Sequence, residues 1–217
     1  EDKENLKKSK KFIDYLNLLE NQYFKILNNA ESTSYEFKPN QKKLNFPWIP
    51  HFKVKSKNDL EELILEGEKI IAKPSIGCAS RGIIYLSNKE DIERIDNIND
   101  YLYERFIHAE EERRYIFLNN ELIIKRKMRK SGSPGNEMVV DVNLFEGDNA
   151  EINIAREVMK KIGMFYGAVD FRGDYILEVN GSGTGVAPPT IKNNKDLYNL
   201  SSFIVEAIEK EFELSLN

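Results

Sequence analysis

Two small lobes of mixed helix and strand, an α+β class protein, are expected from these 217 residues. Three observations lead there: short alternating apolar runs that pair as local hairpins, amphipathic helical stretches set among them, and a polar, proline-containing connection ahead of the first strand. With 41% hydrophobic residues the chain can bury a sizeable core, as one large domain or two small ones.

Within residues 6–27, Phe12, Leu16, Leu19, Tyr23 and Leu27 recur at helical spacing, which predicts an amphipathic helix. Its start, Lys7-Lys8-Ser9-Lys10-Lys11, reads as a solvated basic face. Residues 28–45 are polar, contain Pro39 and read as a linker or irregular connection. A short strand is expected at 52–55, then a helix started by Ser56 or Asn58 and running to Glu66, with Ser56 and Asp59 in a capping arrangement. Strand-like runs follow at 69–73, 82–86 and 101–106, with a helix at 89–94. Residues 115–118 and 121–128 predict a hairpin across Asn119-Asn120, and 137–142 reads as another strand. Ile154, Val158 and Ile162 mark a helix closed by Gly163. Val169-Asp170-Phe171 and residues 175–179 form a second hairpin about Arg172-Gly173-Asp174. A Gly/Pro-rich loop at 181–189 and an amphipathic helix at 197–212 complete the pattern, without internal repeat or low-complexity tract.

A net charge of −4 gives no general reason to expect nucleic acid. No apolar run approaches the roughly 20 residues that span a bilayer, and no signal peptide precedes the first helix. The single cysteine, Cys78, excludes an intrachain disulfide framework and fits a reducing compartment. The expectation is a cytoplasmic protein with no nucleic-acid or membrane partner; homo-oligomerisation stays open.

The segment 167–180 is the most informative. If its turn is centred on Gly173, Asp170 lies opposite Ile176 and diagonal to Glu178, about 7–8 Å from it, and Asp170, Glu178 and Asn180 project to one side. Two carboxylates and an amide carbonyl are hard oxygen ligands, too few to enclose a cation. Such a partial cage suits Mg²⁺, which keeps waters and takes further ligands from substrate phosphates. A solvated hairpin face is the competing reading.

Residues 70–84 read as strand, small-residue loop and strand, where backbone N–H groups can approach an anion and Lys73 adds positive charge. A nucleoside triphosphate fits, although Gly82 is followed by Ile83-Ile84 and so this is no P-loop. A plain hairpin with a flexible tip is the alternative. Tyr103-Glu104-Arg105-Phe106-Ile107 ends a strand leading between lobes, whose backbone can pair with an adenine edge. Glu112-Arg113-Arg114 follows, for which an acidic solvated loop is the competing reading. On the basic strand, Lys125, Lys127 and Arg129 share one face against Arg126, Met128 and Lys130. One such face can stabilise a phosphoryl group or an acyl phosphate; a lysine-guarded edge strand is the alternative. His51 and His108 lack metal-ligand spacing, and Cys78 has no evident triad partner.

Taken in order over about residues 40–188, these segments resemble the ATP-grasp ligases, nearest the bacterial glutathione synthetase type and next the ribosomal-protein glutamate ligase type. The resemblance implies an ATP-grasp fold of two α+β lobes sandwiching ATP, with the N-terminal pre-ATP-grasp domain short or missing. It divides the chain into an N-terminal helix and linker at 1–45, a small lobe at 46–107 and a large lobe with the metal site at 108–217. Asp170, Glu178 and Asn180 match the family's magnesium motif, and Lys73 with Gly77, Ser80 and Gly82 its triphosphate loop. Lys42, in Asn40-Gln41-Lys42, matches the earlier phosphate-binding lysine, with Lys43 as the competing choice. Glu104, Arg105 and Ile107 match the adenine hinge, the last two acting through their backbones, and Glu112 the acidic residue that holds the ribose. Arg114 matches the arginine that follows, Arg129 the one that steadies the acyl phosphate or tetrahedral intermediate, and Asn136 an asparagine assisting the metals. Ser80 stands where the loop usually has glycine. Residues 137–142 replace a Gly-rich segment, and 181–189 does not reproduce the glutathione synthetase sequence.

The implied activity is an ATP-dependent carboxylate–amine ligase, peptide-bond forming and glutathione synthetase-like, working through an acyl phosphate. Arg129 and Arg114 are its catalytic candidates. Its cofactors are ATP and Mg²⁺, two ions, with Mn²⁺ as the alternative. Its partners are a small-molecule or peptide carboxylate, received at Gly181, Ser182 and Gly183, and an amine acceptor. The alternatives are a small-molecule kinase on the same fold and a non-catalytic ATP-binding module or subunit of a larger synthetase.

Overall fold

A computed structural model describes residues 28–76, 81–130, 137–144, 149–181 and 194–213. The helix expected at 6–27 and most of the loop at 181–189 lie outside the described residues. Two antiparallel sheets organise the remainder.

The first sheet contains β1 (His51–Phe52), β2 (Ile70–Pro74), β3 (Ile84–Leu86) and β4 (Tyr101–Arg105), in the order β1-β4-β2-β3. Connections ahead of it supply two short helices, α1 (Ala30–Thr33) and α2 (Lys38–Gln41), with a 3₁₀ turn at Ser34–Glu36 between them. Within it come α3 (Lys57–Leu65) and α4 (Lys89–Glu93). Leu60 of α3 and Ile92 of α4 pack with Ile70, Ala72, Ile84, Leu86 and Tyr103 into one core. Because side chains alternate, Ile71 and Lys73, with their register neighbours Glu104 and Leu102, occupy the other face.

The second sheet contains β5 (Glu111–Leu118), β6 (Glu121–Lys130), β7 (Glu137–Leu144), β8 (Tyr166–Arg172) and β9 (Tyr175–Asn180), in the order β7-β6-β5-β8-β9. Against one face lies α5 (Ala150–Ile162), where Ile152, Ala155, Val158 and Met159 meet Tyr115, Phe117, Val169, Phe171, Ile176 and Val179. On the other face, α6 (Asn194–Glu213) covers Ile116, Leu118, Ile124 and Ala168 through Phe203, Ile204, Ala207 and Ile208. That second face changes character along its length: beyond Ile116 and Ala168 it carries Glu112, Arg114, Asp170 and Arg172.

Most elements fall where the periodicity places them, and the exceptions have physical causes. The stretch 28–45 is not an irregular linker but a chain of helical turns. Asn29 caps α1 by accepting from the Ser32 amide at 2.8 Å, and Pro39 sits in the first turn of α2, where its missing N–H is harmless. The strand expected at 52–55 is shorter and earlier, because the Lys55 amide is taken by Asp59 Oδ2 at 2.7 Å as part of the cap of α3. β5 begins at Glu111 rather than Tyr115, so Glu112 lies in a ladder and is 3% exposed, not in a solvated loop. The Asn119-Asn120 turn is as expected, with both residues left-handed at φ 49° and 64°. Among the described residues, no helix is long and apolar enough to cross a membrane.

The two sheets are stitched together ahead of β1. Ile49 donates to the Ile176 carbonyl at 3.1 Å, and the Ile176 amide to Pro47 at 2.8 Å. The buried Gln41 amide reads both sides of the Val179 peptide, donating to its carbonyl at 2.9 Å and accepting from its N–H at 3.0 Å.

Candidate functional site

The β8–β9 hairpin corrects the expected register. Arg172 pairs with Tyr175 and Phe171 with Ile176, after which β9 inserts Leu177 as a bulge and Asp170 pairs directly with Glu178. An unbroken alternation would put Ile176 and Val179 on opposite faces. The bulge lets both reach the α5 core, and in the same step places Asp170 opposite Glu178 instead of opposite Ile176. Asn180 Nδ2 closes the group, 3.2 Å from Asp170 Oδ2 and 3.3 Å from Glu178 Oε1.

β5 adds cationic partners to this face. Arg114, the register neighbour of Asp170, grips it with two parallel bonds, Nε to Oδ1 and Nη2 to Oδ2, both 2.6 Å. Glu112 lies opposite Arg172 in the same ladder and forms a buried ion pair with it. Burial pushes the Asp170 carboxyl up to about 6, against the pull of Arg114 and with help from Glu178 and Glu112. A proton or a metal ion would therefore relieve a carboxylate that Arg114 alone does not fully compensate.

The first sheet supplies a second charged cluster. Glu104, 1% exposed, receives Lys73 Nζ on Oε2 at 2.5 Å and Lys42 on Oε1. Burial by itself pushes the Glu104 carboxyl up, but Lys73 and Lys42 together outweigh it and hold it below the ordinary glutamate value. Lys42 follows α2 and lies 5.1 Å over the Trp48 ring; burial lowers its ammonium despite Glu104. Glu36 accepts the Gly181 amide at 2.6 Å, so the first residue of the 181–189 loop has its donor engaged.

The structure therefore brings Asp170, Glu178, Asn180, Arg114 and Glu112 together on one sheet, and Lys73 and Glu104 of the other sheet together with Lys42 from the end of α2. Arg105 turns its side chain outward onto Glu68, at 2.9 Å from Nε to Oε2, and donates its amide to Pro50 at 2.9 Å. Two residues on, Ile107 Cγ2 lies 3.4 Å from where a Cβ added at Gly173 in the β8–β9 turn would stand. Gly82 is left-handed, at φ +72°, and lies against Pro74. Arg129 pairs in the ladder with Glu111, while the partner of Arg114 on β6 is Arg126. Gly77, Cys78, Ser80, Asn136, Ser182 and Gly183 lie outside the described residues. His51 is opposite Glu104 in the ladder and exposed, and His108 is exposed. Residues that the motifs did not single out also enter: Gln41 and Glu36 anchor β9 and Gly181, and Arg172 orients Glu112. Arg172 was legible only as part of a turn, because its partner is sixty residues upstream in sequence, at Glu112.

Among the described residues no three His, Cys, Asp or Glu side chains converge on a metal position. What converges is two carboxylates and an amide. Turned about its terminal torsion, Asn180 presents oxygen to the point its nitrogen now occupies, giving an all-oxygen set of the kind Mg²⁺ takes. The residues present fit that ion.

No family model matches this chain, and no curated protein does. Solved structures do. The D-alanine–D-alanine ligase from Bacillus anthracis complexed with ATP aligns with a TM-score of 0.67 at 15% identity, covering 92% of this chain and 75% of that one. The ATP-grasp ligase PsnB complexed with a minimal precursor gives 0.60 at 14%, covering 81% and 62%, so this chain spans about three-fifths of the length of PsnB. The macrocyclase MdnC from Microcystis aeruginosa, bound with precursor peptide MdnA, gives 0.59 at 14%, covering 83% and 64%. Two antiparallel sheets and alignment with these structures over most of the chain identify its architecture: it has the ATP-grasp fold.

Proposed function

We propose that this chain is an ATP-dependent carboxylate–amine ligase acting through an acyl phosphate. The observation that carries the reading is the convergence of Asp170, Glu178 and Asn180 in a chain that also buries the Lys42–Glu104–Lys73 cluster. The small lobe would comprise residues 46–107 and the large lobe 108–217, with ATP between them. Lys42 and Lys73 bind its phosphates beneath the loop containing Gly77, Ser80 and Gly82. Ile107 offers its amide, and Arg105 its backbone, to the adenine edge; Glu112, oriented by Arg172, accepts the ribose hydroxyls. Mg²⁺ bound by Asp170, Glu178 and Asn180 would neutralise charge on the transferring phosphoryl oxygens.

A substrate carboxylate, received at Ser182 and Gly183 because Glu36 already holds the Gly181 amide, attacks the γ-phosphorus and expels ADP. An amine then adds to the acyl carbon, and inorganic phosphate leaves as the amide forms. Arg114 supplies positive charge where oxyanions develop in these two steps; Arg129, in register with Glu111 rather than with the Glu112 and Arg114 positions, has this role from the motif match alone. The comparison proteins complexed with Mg and ADP or bound with precursor peptides support both the cofactors and a peptide as one form of the carboxylate substrate. A glutathione synthetase-like substrate pair rests on the sequence motifs alone.

Asp170→Asn and Glu178→Gln are expected to fold normally and to lose Mg²⁺-dependent turnover by about 10²-fold or more, on the scale of a lost oxyanion donor. Joint assay of ADP, free phosphate and amide product checks this: full turnover in both variants sinks the metal assignment. ADP with a phosphorylated product points to a kinase, and Mg·ATP binding without turnover to a binding module.

A further inference from the structure

Gln41 is a polar residue buried to 1% exposure, and its side chain is spent entirely on backbone. Nε2 donates to the Val179 carbonyl at 2.9 Å and to the Tyr35 carbonyl at 2.7 Å, while Oε1 accepts the Val179 N–H at 3.0 Å. Both amide hydrogens and the carbonyl are engaged. β9 is the edge strand of its sheet, and here Gln41 does what a neighbouring strand would do, taking both backbone groups of one residue.

The point of attachment is informative. Val179 lies between Glu178 and Asn180, two of the three candidate metal ligands, so a shift of its peptide moves both together. On the other side, Gln41 ends α2 and Lys42 caps it. The chain therefore passes in a single residue from the grip on β9 to the ammonium that Glu104 shares with Lys73 of β2. The first amide of α2, at Lys38, donates to the Ser75 carbonyl at 3.1 Å, which fixes the same short helix to the end of β2. One buried side chain thus joins the metal ligands of the second sheet to the lysine cluster of the first. Its chemistry is specific: a thioether in its place could neither donate to nor accept from Val179, and a carboxylate would set oxygen against two carbonyls.

We propose that Gln41 is a positioning residue that holds Glu178 and Asn180 in fixed relation to Lys42, so that metal and nucleotide phosphates favour each other's binding through the Val179 peptide. The inference rests on the ligase reading given above. Calorimetric titration with ATP, in saturating Mg²⁺ and in excess chelator, gives a ratio of affinities for each protein. Gln41→Met, of similar volume, is expected to lower that ratio about tenfold from the wild-type value while changing the affinity for metal-free ATP by less than about twofold. Gln41→Glu, which keeps the length and loses the donor, should lower it likewise. Ile92→Val, in the core of the first sheet, should lower Tm and leave the ratio unchanged. A wild-type ratio in folded Gln41→Met overturns the proposal and makes Gln41 a support of the fold alone. Should neither variant fold, hydrogen–deuterium exchange of the Val179 amide in the wild type decides: Mg·ATP should protect it more than metal-free ATP does, and equal protection overturns the proposal. Wild-type protein that binds ATP equally well with and without Mg²⁺ overturns the metal reading and the proposal with it. Folded wild type that binds ATP in neither buffer overturns the ligase reading itself, a result read without any variant.

Discussion

Glu104 holds two buried ammonium groups on one carboxylate, and its removal is the most direct test of how the site is held together. Glu104→Gln strands Lys42 and Lys73 without their counter-ion and should cost about 3–5 kcal/mol at pH 7, the scale of breaking a buried ion pair from one side. The pH dependence follows from the carboxyl being held below its ordinary 4.5. The folded state then binds this proton less readily than the unfolded state. The stability contributed is full above about pH 4.5 and is lost as pH falls through the depressed folded value. Urea denaturation of wild type and variant across that range should show a gap that is wide at neutral pH and narrows in acid. A constant gap would mean that the lysines do not depress this group.

Positioning of the candidate metal ligands belongs to whole elements. β8 and β9 approach closely at Gly167, where an added Cβ would sit 2.5 Å from Met164 Sδ, 2.9 Å from Met159 Cε and 3.0 Å from the Asn180 carbonyl oxygen. The methionines can move, but the Asn180 backbone can yield only by shifting β9. Gly167→Ala should therefore cost about 1–3 kcal/mol in urea denaturation, typical of overpacking, and should weaken Mg²⁺ binding as well. A stable variant with normal Mg²⁺ affinity would show that β9 tolerates the shift. The hairpin's other end is held by Arg113, whose guanidinium bonds Glu151 at the start of α5 at 2.7 Å and the Gly173 carbonyl in the turn at 2.5 Å. Tyr115 adds its hydroxyl to the same Glu151 carboxylate. The helix, the turn and β5 thus share one polar junction on the face opposite Asp170.

Across the whole molecule, nucleotide and metal should bind as one event, because their candidate ligands lie on different sheets. Mg·ATP at about 100 times its Kd should raise stability by about 2.7 kcal/mol, with a corresponding rise in Tm, whereas ATP with chelator should raise it much less. Equal rises with and without Mg²⁺ would exclude the trio as a metal site. The division of labour between chain and fold is clearest here. Hairpins about Asn119-Asn120 and Gly173, the cap at Ser56, the helix closed by Gly163 and the meeting of Asp170, Glu178 and Asn180 on one side of the β8–β9 hairpin were all legible, since each depends on residues close to one another in sequence. The Leu177 bulge was not, because it is enforced by packing of Ile176 and Val179 against α5. Nor were the burial of Glu104 between Lys42 and Lys73, the Arg172–Glu112 pair or the Gln41 grip on Val179. Local pattern set the elements, because turns, caps and alternation act over short separations. Only the three-dimensional packing decided which charges meet, because ion pairs between residues thirty to sixty positions apart have no periodicity to read.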